Sequence, residues 1–296
     1  MASDIGWERY RSFLAVLNEG SLSRAARALG VAQPTVGRHM ASLEQSLNLA
    51  LFTRSQTGLI PTEAALALRS YAESMNSTAA ALERAAASQG AGVRGTVRIT
   101  ASDVIGVEVL PVIIASLHDE HPELVVELVL TDRMQDLLRR EADIAVRMAR
   151  PRQELLVARR IGQIELGLHA HQRYLSRHGT PTSMADVAHH ALIGFDQPSL
   201  FVRGTGKALS GWRREAFALR TDNNLAQLAL IRAGAGIGVC QAPIARRDGA
   251  LVRLFPRQFS LPLDTWITMH ADLRDSPRCR VAFDALVKGL QQYISQ

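Results

Sequence analysis

The sequence predicts an α/β protein that opens with a small, mostly helical domain, and three observations lead there. Short helices with apolar periodicity fill roughly the first fifty residues, an Ala-rich stretch from Thr62 to Gln89 carries no Gly or Pro, and strands then alternate with helices toward the C-terminus. At 296 residues and 47% hydrophobic content the chain suits two or three domains with real cores. It holds no run of 18 apolar residues, and MASDIGWERY lacks the regions of a secretion signal, so a cytoplasmic protein without a membrane partner is expected. The formal charge of +6 suits a polyanion, yet residues 1–90 hold eight Arg against seven Asp or Glu, so bulk charge does not mark which end would bind one.

The first helix is read from Trp7, Tyr10, Phe13, Leu14 and Leu17, which share a face and stop at Asn18-Glu19-Gly20. The next stretch organises the chain. In SLSRAARALG, Leu22, Ala25, Ala26 and Leu29 form an i, i+3, i+4, i+7 stripe, the small pair lets another helix cross closely, and Gly30 ends the helix. VAQPTVGRHMASL then opens a helix at Gln33 with Pro34 in its first turn, where a missing N–H is harmless. Its buried edge is Val36, Met40, Leu43 and Leu47; its polar edge is Gln33, Thr35, Arg38, His39 and Ser42. Periodicity alone leaves two readings level, a plain αα-hairpin and a helix-turn-helix whose second helix reads DNA.

The residues from Phe13 to Thr62 resemble the N-terminal domain of LysR-type transcriptional regulators. FLAVLNEGSLSRAARALGVAQPTVGRHMASLEQSLNLALFTR and then GLIPTEA carry the family's Ala-Ala pair, Gln-Pro opening, Leu43-Glu44 pair and Leu51–Arg54 run at family spacing. Departures stand at Ala32, Gly37, Asn48 and Ala65, where the family usually has a hydroxyl residue, Ser, Gly and Gly. Ala32 cannot supply an N-cap oxygen, a loss of roughly 1 kcal/mol, and Gly37 removes a side chain from the reading helix. The resemblance implies double-stranded DNA as a partner, bound by Gln33, Pro34, Thr35, Arg38 and His39.

Beyond that helix, Leu49–Arg54 and Leu59-Ile60 look like two short strands around a Ser55–Gly58 turn, the wing of a winged helix, with Arg54 and Thr62 as donors toward the phosphate backbone. The Ala-rich stretch is one helix of roughly 40 Å. Leu68, Tyr71, Met75, Thr78, Leu82 and Ala85 repeat at alternating spacings of 3 and 4, an a/d seam. It packs either on its own chain or, as the resemblance implies, on a second copy through Leu68, Tyr71, Met75 and Leu82, giving a homodimer or homotetramer. Ser88–Gly92 reads as a hinge. The expected domains are 1–61, a linker helix 62–90 and a regulatory domain 91–296.

From Val93 the pieces VRGTVRITAS, VLPVIIASLHDEHPE, LVVELVLTD, RMQDLLRREA and DIAVRM alternate strand and helix, which predicts a parallel sheet with right-handed crossovers. The same style continues less regularly through IELGLHAH, ALIGF, EAFALRT, NNLAQLALIRAGA and GIGVCQAP to the strand TWITMH and a closing helix from Pro277 to Gln292. These pieces resemble the family's effector domain, which is similar to type 2 periplasmic solute-binding proteins. On that pattern lobe one is 93–162 with 265–296, and lobe two is 163–264.

Open α/β sheets bind ligands at the C-terminal ends of their strands. Ser102 and Thr131 end the first two strands, each before a helix start, and both match effector-binding positions of the resembling family. Arg147 ends the third strand and is a candidate to hold a carboxylate, or else it pairs at the surface with Glu141 or Asp143. Phe195 and Asn223 complete the expected site from lobe two. Asp103, Asp132, Asp196 and Asp222 stand beside these residues, either as helix caps or as an acidic rim that would favour a cationic or zwitterionic effector.

Other chemistry fails on its spacing. Gly234–Gly238 puts Val239 where a dinucleotide fingerprint needs its third glycine, and Gly204-Thr205-Gly206-Lys207 lacks the upstream glycine and the following hydroxyl of a phosphate loop. Neither His118 with His121, His169 with His171, nor His189-His190 has a carboxylate or Cys at ligand spacing, so no metal is expected. Cys240 and Cys279 have no CxxC partner and read as idle thiols. With no nucleophile motif the chain reads as no enzyme, without catalytic residues or cofactor. The expected function is sequence-specific transcriptional regulation controlled by a small polar metabolite, with RNA polymerase as a further candidate partner. The competing reading is a sequence-tolerant DNA-compacting protein without an effector.

Overall fold

The computed structural model describes residues 5–55, 58–87, 92–131, 142–150, 156–197 and 213–296. They fall into two compact units, one within residues 1–87 and one beyond residue 91. The helix expected over RMQDLLRREA, together with Asp132, Glu141, the Gly204–Lys207 run and most of the expected hinge, lies outside the described residues.

In the first unit, α1 (Trp7–Glu19), α2 (Leu22–Leu29) and α3 (Gln33–Leu47) precede a hairpin of β1 (Phe52–Ser55) and β2 (Gly58–Pro61), and α4 (Glu63–Ala87) follows. Local chemistry explains the boundaries. Ser21 caps α2 by accepting from the Arg24 N–H at 3.2 Å, Gly20 and Gly30 end α1 and α2 in the left-handed region, and Ala32 offers α3 no side-chain cap. Asn48 closes α3 at φ 52°, doing the work usually given to glycine.

The three helices meet over Phe13, Val16, Ala25, Val36, Met40 and Leu43, joined by Leu51, with the Phe13 and Phe52 rings 5.9 Å apart. Alanines at 25 and 26 are fully inside, which is what lets α2 cross this closely. The wing is held by backbone as well as side chains. The Glu44 carboxylate accepts from the Leu51 and Phe52 N–H groups at 2.7 and 3.2 Å, and the Leu59 N–H donates to the Gly20 carbonyl at 2.9 Å. Gly58 sits over that carbonyl at φ 140°, where an added Cβ would stand 2.6 Å from the oxygen, so only glycine fits there.

Gly37 lies mid-helix in α3, and a Cβ there would meet nothing nearer than Leu22 Cδ1 at 3.9 Å, ordinary contact. Gly37→Ala is therefore expected to raise the stability of this unit by about 0.5–1 kcal/mol, since the site has room and only the backbone entropy changes. Denaturant unfolding of wild type and variant checks it; an unchanged or lower midpoint would contradict it.

The second unit is built on a sheet whose described strands run β10 (Leu251–Leu254), β6 (Leu156–His171), β11 (Leu261–His270), β5 (Ile144–Arg147), β3 (Gly95–Ala101) and β4 (Leu124–Leu130), with β9 (Ile237–Gln241) also on β6. The expectation of a parallel sheet holds for β3, β4 and β5 alone among the described strands of this sheet. β3 pairs in parallel with β4 and β5, while β11 is antiparallel to β5 and β6, and β6 is antiparallel to β9 and β10. The cause is β6 and β11, which run in opposite directions side by side from Leu156 opposite His270 to Leu166 opposite Leu261, through an irregularity at Thr265/Trp266. Sequence alternation shows strands and helices but not that two strands traverse the whole unit.

One face of the sheet is covered by α6 (Leu110–Glu120) and the closing helix Pro277–Ser295, which bury Leu110, Leu117, Phe283, Leu286, Leu290 and Tyr293 against Val97, Ile99, Ile144, Val146 and Ile267. A smaller cluster around Leu168, Tyr174, Phe217, Ile237 and Phe259 closes the other end. The Gly234–Gly238 run serves packing: a Cβ on Gly236 would lie 2.3 Å from the Ala191 carbonyl oxygen. Both cysteines are buried. Cys240 lies 3.2 Å from His169 Nδ1, which is itself 2.8 Å from the Gly167 carbonyl oxygen; burial pushes the thiol up to about 12 and the imidazole down to about 4. Both are neutral near pH 7.

Candidate functional site

Two groups of residues can meet other molecules, one on each unit. On the first, α3 presents Gln33, Pro34 and Arg38 to solvent with Thr35 half-exposed, while the same helix buries Val36, Met40 and Leu43. The polar edge and the buried edge of the sequence reading are thus the two sides of one helix. Arg24 and Arg27 on α2 are exposed as well, although nothing in their spacing sets them on the polar edge of α3. Arg54 stands exposed on β1.

Two expected contacts also have partners within the unit. His39 is half-exposed, its Nδ1 2.7 Å from the buried Ser12 Oγ, so it braces α3 against α1. Thr62 is committed twice over. Its hydroxyl donates to the Ala50 carbonyl at 2.8 Å and accepts from the Ala65 N–H at 3.2 Å, a cap for α4 that leaves no hydrogen for a phosphate. Both residues are polar, near the surface and at family spacing; only the tertiary partner reveals the structural role.

Along α4 the seam divides. Ala65 and Ala72 are buried against the helical core and Leu68 packs on it half-buried, so Leu68 faces its own unit and not an open seam. Tyr71 (70% exposed), Leu82 (72%), Leu66 and Met75 stay in solvent.

On the second unit, the C-terminal ends of β3 and β4 bring Ser102 and Thr131 together: Ser102 immediately precedes α5 (Asp103–Glu108), its hydroxyl making no capping bond, and the Thr131 N–H donates to the Ala101 carbonyl at 2.9 Å. Across from them Asn223 caps the helix Asn224–Arg232, accepting from the Ala226 N–H at 2.8 Å, and its amide nitrogen is 3.5 Å from Asp103 Oδ2. Phe195 follows the short strand β7 (Ile193–Gly194) and is half-exposed.

Arg147, at the end of β5, is only 6% exposed and donates to the Val146 carbonyl and to Thr100 Oγ1, both at 3.0 Å. Asp143 is buried too and accepts from the Arg98 N–H at 2.8 Å, while Glu141 lies outside the described residues.

The acidic rim is largely tied down. Asp222 accepts from the Asp196 and Gln197 N–H groups, each at 2.9 Å, and Asp196 is paired with Arg214 at 2.6 Å. These two carboxylates organise the loop after β7; neither caps a helix, the cap of the helix Asn224–Arg232 being Asn223. Further from the cleft, at the far end of α5, Glu108 grips Arg232 through two bonds of 2.6 and 2.8 Å. The Arg232 guanidinium holds the Glu108 carboxyl below its ordinary range, against the opposing pull of burial. Among the described residues no group of His, Cys, Asp or Glu could hold a metal ion, and no helix is long and apolar enough to cross a membrane.

A family model described as "Bacterial regulatory helix-turn-helix protein, lysR family" matches residues 7–66, and one described as "LysR substrate binding domain" matches residues 90–291. Among similar proteins, the Mau operon transcriptional activator of Paracoccus denitrificans is 34% identical over 164 residues, 55% of this chain and 58% of that protein. An HTH-type transcriptional regulator of Xanthomonas campestris pv. campestris (strain 8004) is 29% identical over 184 residues, 61% of this chain and 53% of that protein. The match thus spans little more than half the length of these two relatives. Among solved structures, full-length CbnR complexed with its target DNA has a TM-score of 0.68 at 21% identity, covering 97% of this chain and 99% of that one. CrgA from Neisseria meningitidis has a TM-score of 0.59 at 24% identity, covering 96% and 98%. At these identities the structural likeness speaks for the fold.

Proposed function

The chain belongs to the LysR family of bacterial regulatory helix-turn-helix proteins, and on that premise we propose that it is a sequence-specific, DNA-binding transcriptional regulator of the cytoplasm, controlled by a small polar metabolite. The observation that carries the reading is α3. It is a helix anchored by Val36, Met40 and Leu43 that offers Gln33, Pro34, Thr35 and Arg38 on its free side, with Arg54 on the adjacent wing. Gln and Arg are the side chains that form bidentate pairs with adenine and guanine edges in the major groove, and Pro34 shapes the helix start that brings them there. Arg24, Arg27 and Arg54 supply the sequence-independent phosphate contacts.

Support for the effector reading comes from Ser102 and Thr131 at neighbouring strand ends, with Asn223 reaching Asp103 beside them and Phe195 next to the Asp196–Asp222 loop, whose two carboxylates are bonded within the protein. Arg147, which donates to Thr100 Oγ1 two residues before Ser102, is the candidate to hold a carboxylate of the effector. The protein works as a homodimer or homotetramer joined through α4, and its dimer spacing sets the spacing of two half-sites on one face of the duplex. RNA polymerase is the further partner through which a bound regulator would act.

Calorimetric titration of the full-length chain with a metabolite library tests the effector arm. A metabolite that binds wild type is expected to bind Ser102→Ala and Thr131→Ala about tenfold more weakly, the loss for one hydrogen bond each. Unchanged affinity in both variants would put the effector elsewhere.

A further inference from the structure

Glu108, Arg232, Ile244, Arg247, Asp248 and Gly249 line a cavity of about 430 Å³ in the second unit, away from the residues assigned to the effector. Ser102 stands at the start of α5 and Glu108 at its end, about 9 Å along the helix axis. The charges around this cavity are divided. Glu108 and Asp248 share one guanidinium: Arg232 donates to both Glu108 oxygens at 2.6 and 2.8 Å, and its Nε is 3.4 Å from Asp248 Oδ2. Two carboxylates on one guanidinium leave a negative charge in surplus on that wall.

Arg247 makes the opposite case. Its Nε and Nη2 donate to the amide oxygen of Gln296 at 3.0 and 2.8 Å, and its guanidinium lies 4.9 Å from the centre of the Tyr293 ring. A neutral amide and an aromatic face fix the guanidinium in place without cancelling its charge, and its remaining N–H groups form a fork suited to a carboxylate. Tyr293 is itself fixed by donating to Gln241 Oε1 at 2.5 Å, so the platform under Arg247 is rigid. Arg247 and Asp248 are neighbours in sequence, and Ile244, one turn earlier on the helix Ala242–Arg247, adds an apolar wall.

A cavity whose lining carries one guanidinium and one carboxylate beyond the Arg232–Glu108 pair selects a dipolar ligand. We propose that this cavity is a second small-molecule site that takes a zwitterion of the α-amino-acid type, its carboxylate on Arg247, its ammonium on Asp248 and Glu108, and an apolar side chain against Ile244. A simple carboxylate would meet Arg247 but also the surplus negative charge, and a simple amine the reverse, so each single-charge analogue loses one charge-assisted bond and gains a repulsion.

The test is calorimetric titration of the full-length protein with L-leucine and L-alanine, beside 4-methylpentanoate and 3-methylbutylamine, which are leucine without its ammonium and without its carboxylate, as the single-charge analogues. Wild type is compared with Arg247→Gln, Asp248→Asn and Ser102→Ala, each checked for an intact thermal transition. L-Leucine is expected to bind at least about tenfold more tightly than either analogue, and Arg247→Gln and Asp248→Asn to weaken it by about ten- to hundredfold, while Ser102→Ala leaves it unchanged. Should Arg247→Gln fail to fold, Asp248→Asn and the analogue series decide. Equal binding of 4-methylpentanoate, indifference to Asp248→Asn, loss in Ser102→Ala, or no binding of either amino acid up to about 10 mM would overturn the proposal.

Discussion

Leu43→Ala is expected to destabilise the N-terminal unit by about 2–5 kcal/mol, the cost of a large-to-small change in a site that cannot collapse. Leu43 is fully buried where α3 meets Phe13, Val16 and Leu51, and the neighbouring Glu44 holds the first two N–H groups of the wing. A cavity at Leu43 therefore loosens both the helix that carries Gln33 and Arg38 and the strand that carries Arg54. The measurement is urea unfolding, with Arg38→Ala as control, because an exposed side chain without a bonded partner should change stability by no more than about 0.5 kcal/mol. If Leu43→Ala unfolds within about 1 kcal/mol of wild type, the helix is not anchored as described.

Assembly gives the second large effect. Tyr71→Glu combined with Leu82→Glu places charges on the exposed apolar face of α4 and is expected to weaken self-association by more than about hundredfold, because unpaired carboxylates would be buried twice on each copy. Sedimentation velocity reads it directly. These positions test the interface better than Leu68, which packs on the core of its own unit, so that Leu68→Glu would confuse misfolding with dissociation. A double variant with the wild-type distribution of species would show that α4 is not the seam.

What the sequence discloses and what it hides divide along a physical line. Periodicity and chain breakers are local, so α1 to α4, the stop at Gly30 and the buried edge of α3 can be read from spacing alone. Charges and hydroxyls whose partners lie far along the chain cannot. Ser12 and His39 are 27 residues apart and Thr62 bonds back to Ala50, so the bracing parts of His39 and Thr62 are invisible in the spacing. The burial of Arg147 is hidden in the same way until β11 is laid beside its strand. The mixed sheet has the same origin: strand direction in β6 and β11 is set by pairing across about a hundred residues, which alternation of strand and helix does not encode.

The reading of α3 as a base-reading helix is the centre of this account, and one binding experiment addresses it. The full-length protein is used to select a site from a pool of random duplexes, and the affinities of wild type and Arg38→Ala are then compared on the selected site and on random duplex across a range of salt. Wild type should prefer the selected site by about a thousandfold or more. Arg38→Ala should lose about ten- to hundredfold on that site, with relaxed preference at one base pair, and little on random duplex. Failure of any site to emerge, with a steep salt slope common to all duplexes, would mark a sequence-tolerant compacting protein, and identical binding by Arg38→Ala on both duplexes would contradict the assignment of α3.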